Sequence, residues 1–349
     1  MNKKRSMLEC LANRLTKKLE RKAMALLEEL KALDLTRFKK ALISTTAKQH
    51  GENRLLPFRQ FGEEKVLNLL FTNPEIAQQV LVYLDNQLET FFIDVERKQS
   101  INLWQIAQNS LKKGKILPYK PNDLTVESAY HLINQYYDYQ LTNKKILIYG
   151  TGNIAVKLAL RLAEHDIQVT ITGRNEVKTR QLIDALNVIL PAYNDYKISL
   201  FNKDQSYDAL ITAVSAEQLI SAQYLNYLND KALVMDVGIN NLTPAFIANA
   251  SEKSISIIRL DVRIATPILE AHMHIADFPF FKTIAGHLTI QGISCVAGGI
   301  IGKKGDIVLD TVFKPKHIIG IANGTGGLKK YEEHTDNDKH HIDIIEKAL

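Results

Sequence analysis

Lys144-Lys-Ile-Leu-Ile-Tyr-Gly-Thr-Gly-Asn-Ile-Ala155 is the stretch that decides how this chain is read. The run Ile146-Leu-Ile-Tyr149 is short and apolar, as a buried parallel strand requires. It breaks at Gly150-Thr151-Gly152, and an amphipathic segment follows at once, with Ile154, Leu158, Leu160 and Leu162 apolar and charges between them. Strand, tight turn and helix in that order make the first crossover of a dinucleotide-binding fold. Gly150 permits the turn, and Gly152 removes a side chain that would hold the backbone away from a pyrophosphate. The helix starting near Asn153 aims its unpaired N–H groups and positive dipole end at that same point. Ala155 stands where the fingerprint has its third small residue, which lets helix and strand pack closely.

A second strand, Gln168 to Thr172, bears on which nucleotide is expected. NAD sites place a carboxylate at the end of this strand, against the ribose 2′-hydroxyl. Here the chain reads Thr172-Gly-Arg174-Asn-Glu176, with an arginine first and no earlier carboxylate. A guanidinium there can pair with a 2′-phosphate, so NADP is expected in preference to NAD.

The 349 residues suffice for two domains, and 46% hydrophobic with 23% charged residues is the composition of a soluble globular protein. No apolar run approaches the ~20 residues needed to span a bilayer. Two cysteines, Cys10 and Cys295, cannot make a disulfide framework or a cysteine metal site. A cytoplasmic location is expected. The formal charge of +6 is uneven: residues 1–50 carry 13 Lys and Arg against 5 Asp and Glu, leaving the rest net negative. Within that basic segment Leu8, Leu11, Leu15, Leu19, Ala23 and Leu26 recur at helical spacing. The stripe points to packing on the protein itself or on a second copy, giving a homodimer, and not to nucleic acid or membrane.

Periodicity and breakers predict a long helix over 6–32 and a shorter one over Asp34–Ile43, then a linker over Gly51–Pro57. Phe61–Phe71 reads as a helix, another begins at Pro74, and Val80–Leu84 and Glu89–Val95 read as strands. Helix Leu103–Leu111 and strand Lys115–Tyr119 follow, and a loop over Pro121–Thr125 caps helix Val126–Tyr137. From Lys144 strands and helices alternate, as in a parallel sheet. Asn323-Gly-Thr-Gly-Gly327 lacks the Lys-Ser/Thr of a phosphate loop and reads as a tight turn or subunit contact.

Four segments together resemble the cofactor domain of bifunctional methylenetetrahydrofolate dehydrogenase/cyclohydrolases. They are Gly150–Ile154 with Lys157 and Ala159-Leu160, Tyr207–Ser215, Val234-Met-Asp-Val-Gly-Ile-Asn240, and Val296-Ala-Gly-Gly-Ile300. The resemblance runs from about Pro118 to Gly302 and implies that Ala213, Val214 and Ser215, with Gly238, flank a nicotinamide. The last segment would be the glycine turn after the final strand of that domain. The Arg174 position looks like that of shikimate dehydrogenases, which share the two-domain plan. The first half does not follow the folate enzymes, because no Tyr-x-x-x-Lys precedes residue 144. The shikimate dehydrogenase resemblance implies instead a lysine after a strand, Lys98, paired with an aspartate in the loop before the linking helix, Asp123, with Lys120 in reserve.

His272-Met-His274, with Asp277, would direct two rings one way on a strand, as metal ligands do, but no further ligand cluster accompanies them. We therefore assign His272 and His274, with Asn122, to substrate binding, and no metal. The reading is an α/β protein: a substrate domain with N-terminal helices over 1–140, a Rossmann-type doubly wound parallel sheet over 141–305, and a segment, 306–349, returning to the substrate domain. Its function is hydride transfer between NADP and a small polar substrate, with Lys98 and Asp123 moving the proton. Gly150, Thr151, Gly152, Asn153, Ile154, Thr172 and Arg174 hold the nucleotide. The alternatives are a methylenetetrahydrofolate dehydrogenase-like enzyme with altered catalytic residues and a non-catalytic nucleotide-sensing or scaffold protein.

Overall fold

The computed structural model describes residues 25–48 and 52–349, which belong to two compact units divided after Ala271. Most of the long N-terminal helix expected over 6–32 lies outside the described residues. Its last part, residues 25–31 (α1), is helical and buries Leu26 and Leu30.

The first unit holds two sheets. The first contains β1 (Phe38–Ser44), β2 (Arg54–Leu55), β3 (Arg59–Phe61), β4 (Glu64–Leu70), β5 (Thr90–Asp94) and β6 (Lys115–Tyr119). Its order is β2-β4-β1-β5-β6, with β3 also on β4. β1, β4, β5 and β6 are parallel, and the short strands β2 and β3 lie antiparallel to β4. Alternate residues (Ala41 and Ile43, Leu67 and Leu69, Phe91 and Ile93) pack in one core with Leu30 of α1, Val80 of α2 (Pro74–Leu84) and Ala107 of α3 (Leu103–Ser110).

Four expectations fail in residues 34–125. Asp34–Ile43 contains strand β1 and Phe61–Phe71 contains β4, where helices were expected. Both carry short apolar runs, buried between neighbouring strands, whose length alone suits either element. Val80–Leu84 is the end of α2 and not a strand. Its burial at Ile76, Ala77, Val80, Leu81 and Leu84 follows a helix, started by the Asn73 cap, which accepts from the Ile76 N–H, and by Pro74. Pro121–Thr125 is likewise not a loop: α4 runs over Pro121–Tyr136, so Asp123 sits in its first turn.

The second sheet contains β7 (Lys145–Tyr149), β8 (Gln168–Thr172), β9 (Ser199–Leu200), β10 (Tyr207–Thr212), β11 (Leu228–Asp236) and β12 (Ser256–Arg259). All its pairings are parallel and its order is β9-β8-β7-β10-β11-β12, the doubly wound arrangement read from the sequence. Ile146 and Ile148 face one core with α4, α5 (Asn153–Ala163) and α6 (Glu176–Ile189). Leu147 and Tyr149 face the other with Phe246 of α7 (Pro244–Glu252). The order reverses between β7 and β10, which is where such sheets open a ligand crevice at their carboxyl ends.

Helix α8 (Thr266–Asp277) spans the division between units, and α9 (Phe280–Thr283) follows. The second unit folds around its own sheet, β13 (Gly286–Ile290), β14 (Ile293–Ala297), β15 (Ile307–Leu309) and β16 (Ile318–Ile321), with Ile345 of α10 (Asp336–Ala348) in its core. The cofactor sheet therefore ends at Arg259, and 286–305 is not part of it. Val296–Ile300 is the end of β14 of this separate sheet with the residues that follow it, and is not the turn after the last cofactor-domain strand. Residues 306–349 share one unit with 272–305. Asn323 accepts from the N–H groups of Thr325 and Gly327, which makes 323–327 a tight turn. No described helix is long and apolar enough to cross a membrane.

Candidate active site

The glycine turn is built by close approach. Gly150 has φ +148°, and a Cβ there would lie 2.5 Å from the Ala213 carbonyl oxygen and 3.2 Å from the Ala155 Cβ. Only glycine lets β7 and β10 meet at the reversal of strand order. Gly152 differs: no heavy atom lies within 4 Å of where its Cβ would be. It is the N-cap of α5 and supplies no side-chain cap, so the N–H groups of Asn153 and Ile154 open onto that space. These are the features a pyrophosphate needs.

Thr172 ends β8, and Arg174 follows as an exposed side chain beside Lys178. Both cations line a groove with Gly150, Thr151, Gly152 and Ser215. The nearest carboxylate in sequence, Glu176, is engaged with Arg180 at 2.7 Å. The expected 2′-phosphate partner thus lines the groove, whose carboxylates are Glu52 and Glu217, neither of them at the end of β8.

A buried network shapes the loops after β10 and β11. Asp236 accepts from the Thr212 hydroxyl (3.0 Å) and from the N–H groups of Ile239 (3.1 Å) and Asn241 (3.2 Å). The fully buried Asn241 amide donates to the carbonyls of Val214 (3.0 Å) and Ala216 (2.7 Å). A Cβ on Gly238 would fall 2.2 Å from both the Val214 oxygen and the Asn241 Oδ1. Asp236 and Asn241 therefore fix the position of Ala213–Ser215. Sequence reading passed over both, although the Asp-Val-Gly-Ile-Asn-Asn string contains them.

From the first sheet, Lys98 reaches the same cleft. Its ammonium lies 2.8 Å from Asp94 Oδ2 and 3.3 Å from Glu96 Oε2, with its side chain 10% exposed. Asp94 is buried at the end of β5 and also accepts from the Thr45 N–H (3.2 Å) and the Glu96 N–H (2.8 Å). Glu96 accepts in turn from the Asn122 N–H at 2.8 Å. Burial, and next the charge of Asp94, push the phenol of Tyr119 well above the usual tyrosine range. Lys98 and Asp123 are not brought together. Asp123 pairs with Lys157 of α5, and more distantly with Lys120 at 3.8 Å. The Asn122 side chain bonds Asn153 at 3.3 Å, so this corner ties α4 to the helix that carries the glycine turn. The cause is local: α4 starts at Pro121, which turns Asp123 toward its neighbour helix.

His272 and His274 are exposed and lie on helix α8, not on a strand. On a helix, positions two apart point about 200° from one another, so the strand geometry expected for them does not arise. The nucleotide groove and the cleft of Lys98 share Gly152, Ala213, Val214 and Ser215, and form one continuous hollow. Bound at the glycine turn, an extended dinucleotide would run from Arg174 toward Ala213–Ser215, within the wall that Lys98 faces.

Fold and site together define an α/β protein with a dinucleotide-type crevice. A family model, shikimate / quinate 5-dehydrogenase, matches residues 131–250, which includes α5, the glycine turn and β7 to β11. This is the looser of the two resemblances read from the sequence, and the folate dehydrogenases are not what the match supports. The chain is 25% identical over 202 residues to the shikimate dehydrogenase (NADP(+)) of Methanococcus maripaludis, covering 56% of this chain and 67% of that one. It is 23% identical over 167 residues to glutamyl-tRNA reductase 2 of Flavobacterium johnsoniae, covering 47% of this chain and 37% of the relative. Among solved structures, a shikimate dehydrogenase in complex with NADP+ aligns over 69% of this chain and 90% of its own, at 17% identity and a TM-score of 0.43.

Proposed function

We propose that the chain is an NADP-dependent oxidoreductase that transfers a hydride between nicotinamide and a small polar substrate. The observation that carries this is the continuity of the two hollows: one has the glycine turn and Arg174, the other has Lys98, and Ala213–Ser215 lie in both. NADP, when bound, supplies or accepts the hydride. The chain's own residues bind and orient. The α5 N-terminus and the bare Gly152 take the pyrophosphate, Arg174 takes the 2′-phosphate, and the Asp236–Asn241 network holds the loop that would back the nicotinamide. The family match and the relative described as using NADP(+) support this reading.

The proton partner is Lys98, with Asp94 and Glu96 in place of Asp123. An ammonium held by two carboxylates in a shielded corner is positioned to give a proton to a developing alkoxide or amine and to recover it in the reverse direction. Asp94 and Glu96 do not face the reaction independently; they hold the Lys98 ammonium in place from two sides. Asp123 keeps a structural role at the α4–α5 corner. A panel of hydroxy and amino acids assayed by NADPH absorbance, with Lys98→Ala beside the wild type, tests this. NADP binding without turnover of any panel substrate would favour the nucleotide-sensing alternative. Light scattering after gel filtration tests the homodimer.

A further inference from the structure

The cleft beside Lys98 is unusually basic. Eight lysine and arginine side chains line it against two carboxylates, Glu96 and Asp261. Several of the cations are already engaged: Lys98 with Asp94 and Glu96, Lys157 and Lys120 with Asp123, Lys48 with Glu217, and Arg263 with Asp261. Arg59, Arg97 and Arg259 have no hydrogen-bond or ion-pair partner among the described residues.

Isolated surface arginines need no explanation, since water satisfies them. These differ in placement. Arg59, in β3, is half-buried, and loss of water around its guanidinium pulls its pKa down, only partly offset by the charge of Asp261. A half-desolvated, unpaired guanidinium is a costly group to keep unless something anionic joins it. Arg97 stands one residue before Lys98, on the same wall. Arg259 ends β12 on the opposite wall, and Arg263 follows in the 3-10 turn Val262–Ala265. Asp261 caps that turn and grips the Arg263 guanidinium through both carboxylate oxygens, which fixes its direction. Arg59 senses the charges of both Asp261 and Arg263, so the two walls meet at this point.

Resting on the reading of this cleft as the hydride-transfer site, we propose that its substrate carries two anionic groups, carboxylate or phosphate, held from opposite walls. Arg59 and Arg97 hold one group, and Arg259 with Arg263 holds the other. The planar fork of arginine suits both oxyanions, and a ligand spanning the walls would draw them together over Lys98. A monocarboxylate would leave one pair of arginines unanswered.

Calorimetric titration of the NADP-saturated protein at constant ionic strength tests this with three probes: succinate, inorganic phosphate and acetate. Succinate, which offers two groups, should bind at least tenfold more tightly than acetate, and inorganic phosphate, a single group, reads the preference of one arginine pair alone. Arg59→Gln and, separately, Arg259→Gln should each remove at least tenfold of that affinity while leaving NADP affinity unchanged. Succinate ahead of phosphate identifies a dicarboxylate, and the reverse order a phosphorylated compound. Acetate binding as well as the dianions, or no probe binding at all, overturns the proposal, as does indifference to both substitutions. If Arg59→Gln fails to fold, the exposed Arg259→Gln decides alone. If NADP itself does not bind, the cofactor reading fails separately, and the titrations repeated on Arg174→Ala, whose nucleotide groove is disabled for phosphate, still decide the charge of the substrate.

Discussion

Gly150 and Gly152 lie two residues apart, yet the structure assigns them opposite sensitivities. Alanine at Gly150 would need φ +148° and a Cβ 2.5 Å from the Ala213 carbonyl oxygen, with Ala155 closing the other side. Strain in a glycine-only conformation together with overpacking should cost about 2–4 kcal/mol. For a domain of this size that lowers Tm by about 4–16 °C, at the usual 2–4 °C per kcal/mol. A Cβ at Gly152 meets no atom within 4 Å, so the main folding cost of valine there is a poorer helix N-cap, about 1 kcal/mol. Its branched side chain would instead stand in the space above the α5 N-terminus. NADP affinity should then fall by about 100-fold or more, close to 3 kcal/mol at 1.4 kcal/mol per decade. Thermal unfolding followed by fluorescence, alongside calorimetric titration with NADP and NADPH, separates the two effects. A Gly152→Val protein that binds NADP normally would show that the turn is only structural. A Gly150→Ala protein as stable as wild type would refute the packing argument.

Arg174→Ala should cost NADP about 1.5–3 kcal/mol, the range for a hydrogen bond to a charged group, and leave NAD affinity unchanged; equal affinity for both cofactors in wild type would remove the basis of the NADP assignment. Lys98→Ala should lower turnover by about 10²–10⁴, the usual contribution of a positioned acid or base, while Asp123→Asn should leave kcat within severalfold of wild type and act on stability. Asn241→Ala removes the buried amide that ties down the Val214 and Ala216 carbonyls and should destabilise by about 1–3 kcal/mol, with a loss of NADP affinity as the 213–216 loop relaxes; urea unfolding measures the first effect. In the second unit, burial alone would raise the Asp338 carboxyl, but the Lys329 ammonium and the Thr335 N–H and hydroxyl hold it down at about 2. A depressed carboxyl contributes stability that is complete above its unfolded value near 3.8 and is lost as pH falls through about 2. The α10 helix should therefore loosen between those values, and Asp338→Asn should lose the acid-labile part at neutral pH, as hydrogen exchange in α10 would report.

The fold was legible where the sequence states its period without rivals. In the cofactor domain each strand is a short apolar run closed by a glycine or a cap, each helix has an apolar stripe, and the order of elements forces a parallel sheet. The first domain offers the same runs without the punctuation. Ala41-Leu42-Ile43 and Val66–Leu69 are buried on both faces as inner strands, so no alternation marks them, and their alanine and leucines also suit a helix. Val80-Leu-Val-Tyr-Leu84 carries β-branched residues that favour a strand, yet the Asn73-Pro74 start and burial at three- and four-residue intervals prevail. Tertiary neighbours, not propensity, chose among these.

The site divides by the same logic. The roles read for Gly150, Gly152 and Arg174 rest on local backbone geometry and position at a strand end, and a sequence writes both openly. Lys98 was read from the resemblance, which implies a lysine after a strand. Its partners were not, because pairing is a property of side chains brought together by folding. Asp94 lies only four residues away, but as the last residue of β5 it reads as strand, and its role depends on Thr45 and Tyr119 from neighbouring strand ends. Asp123 looked right because it stands near the linking helix, yet the proline before it starts that helix early and turns the carboxylate to Lys157. Asn241 and Asp236 are quieter still, since their bonds go to each other, to Thr212 and to the backbone of two loops, whose gap they close. The arginines of the cleft show the remaining limit: Arg59, Arg97 and Arg259 are far apart in sequence, and only the meeting of β3, β5 and β12 at their ends gathers their charges into one demand on the substrate.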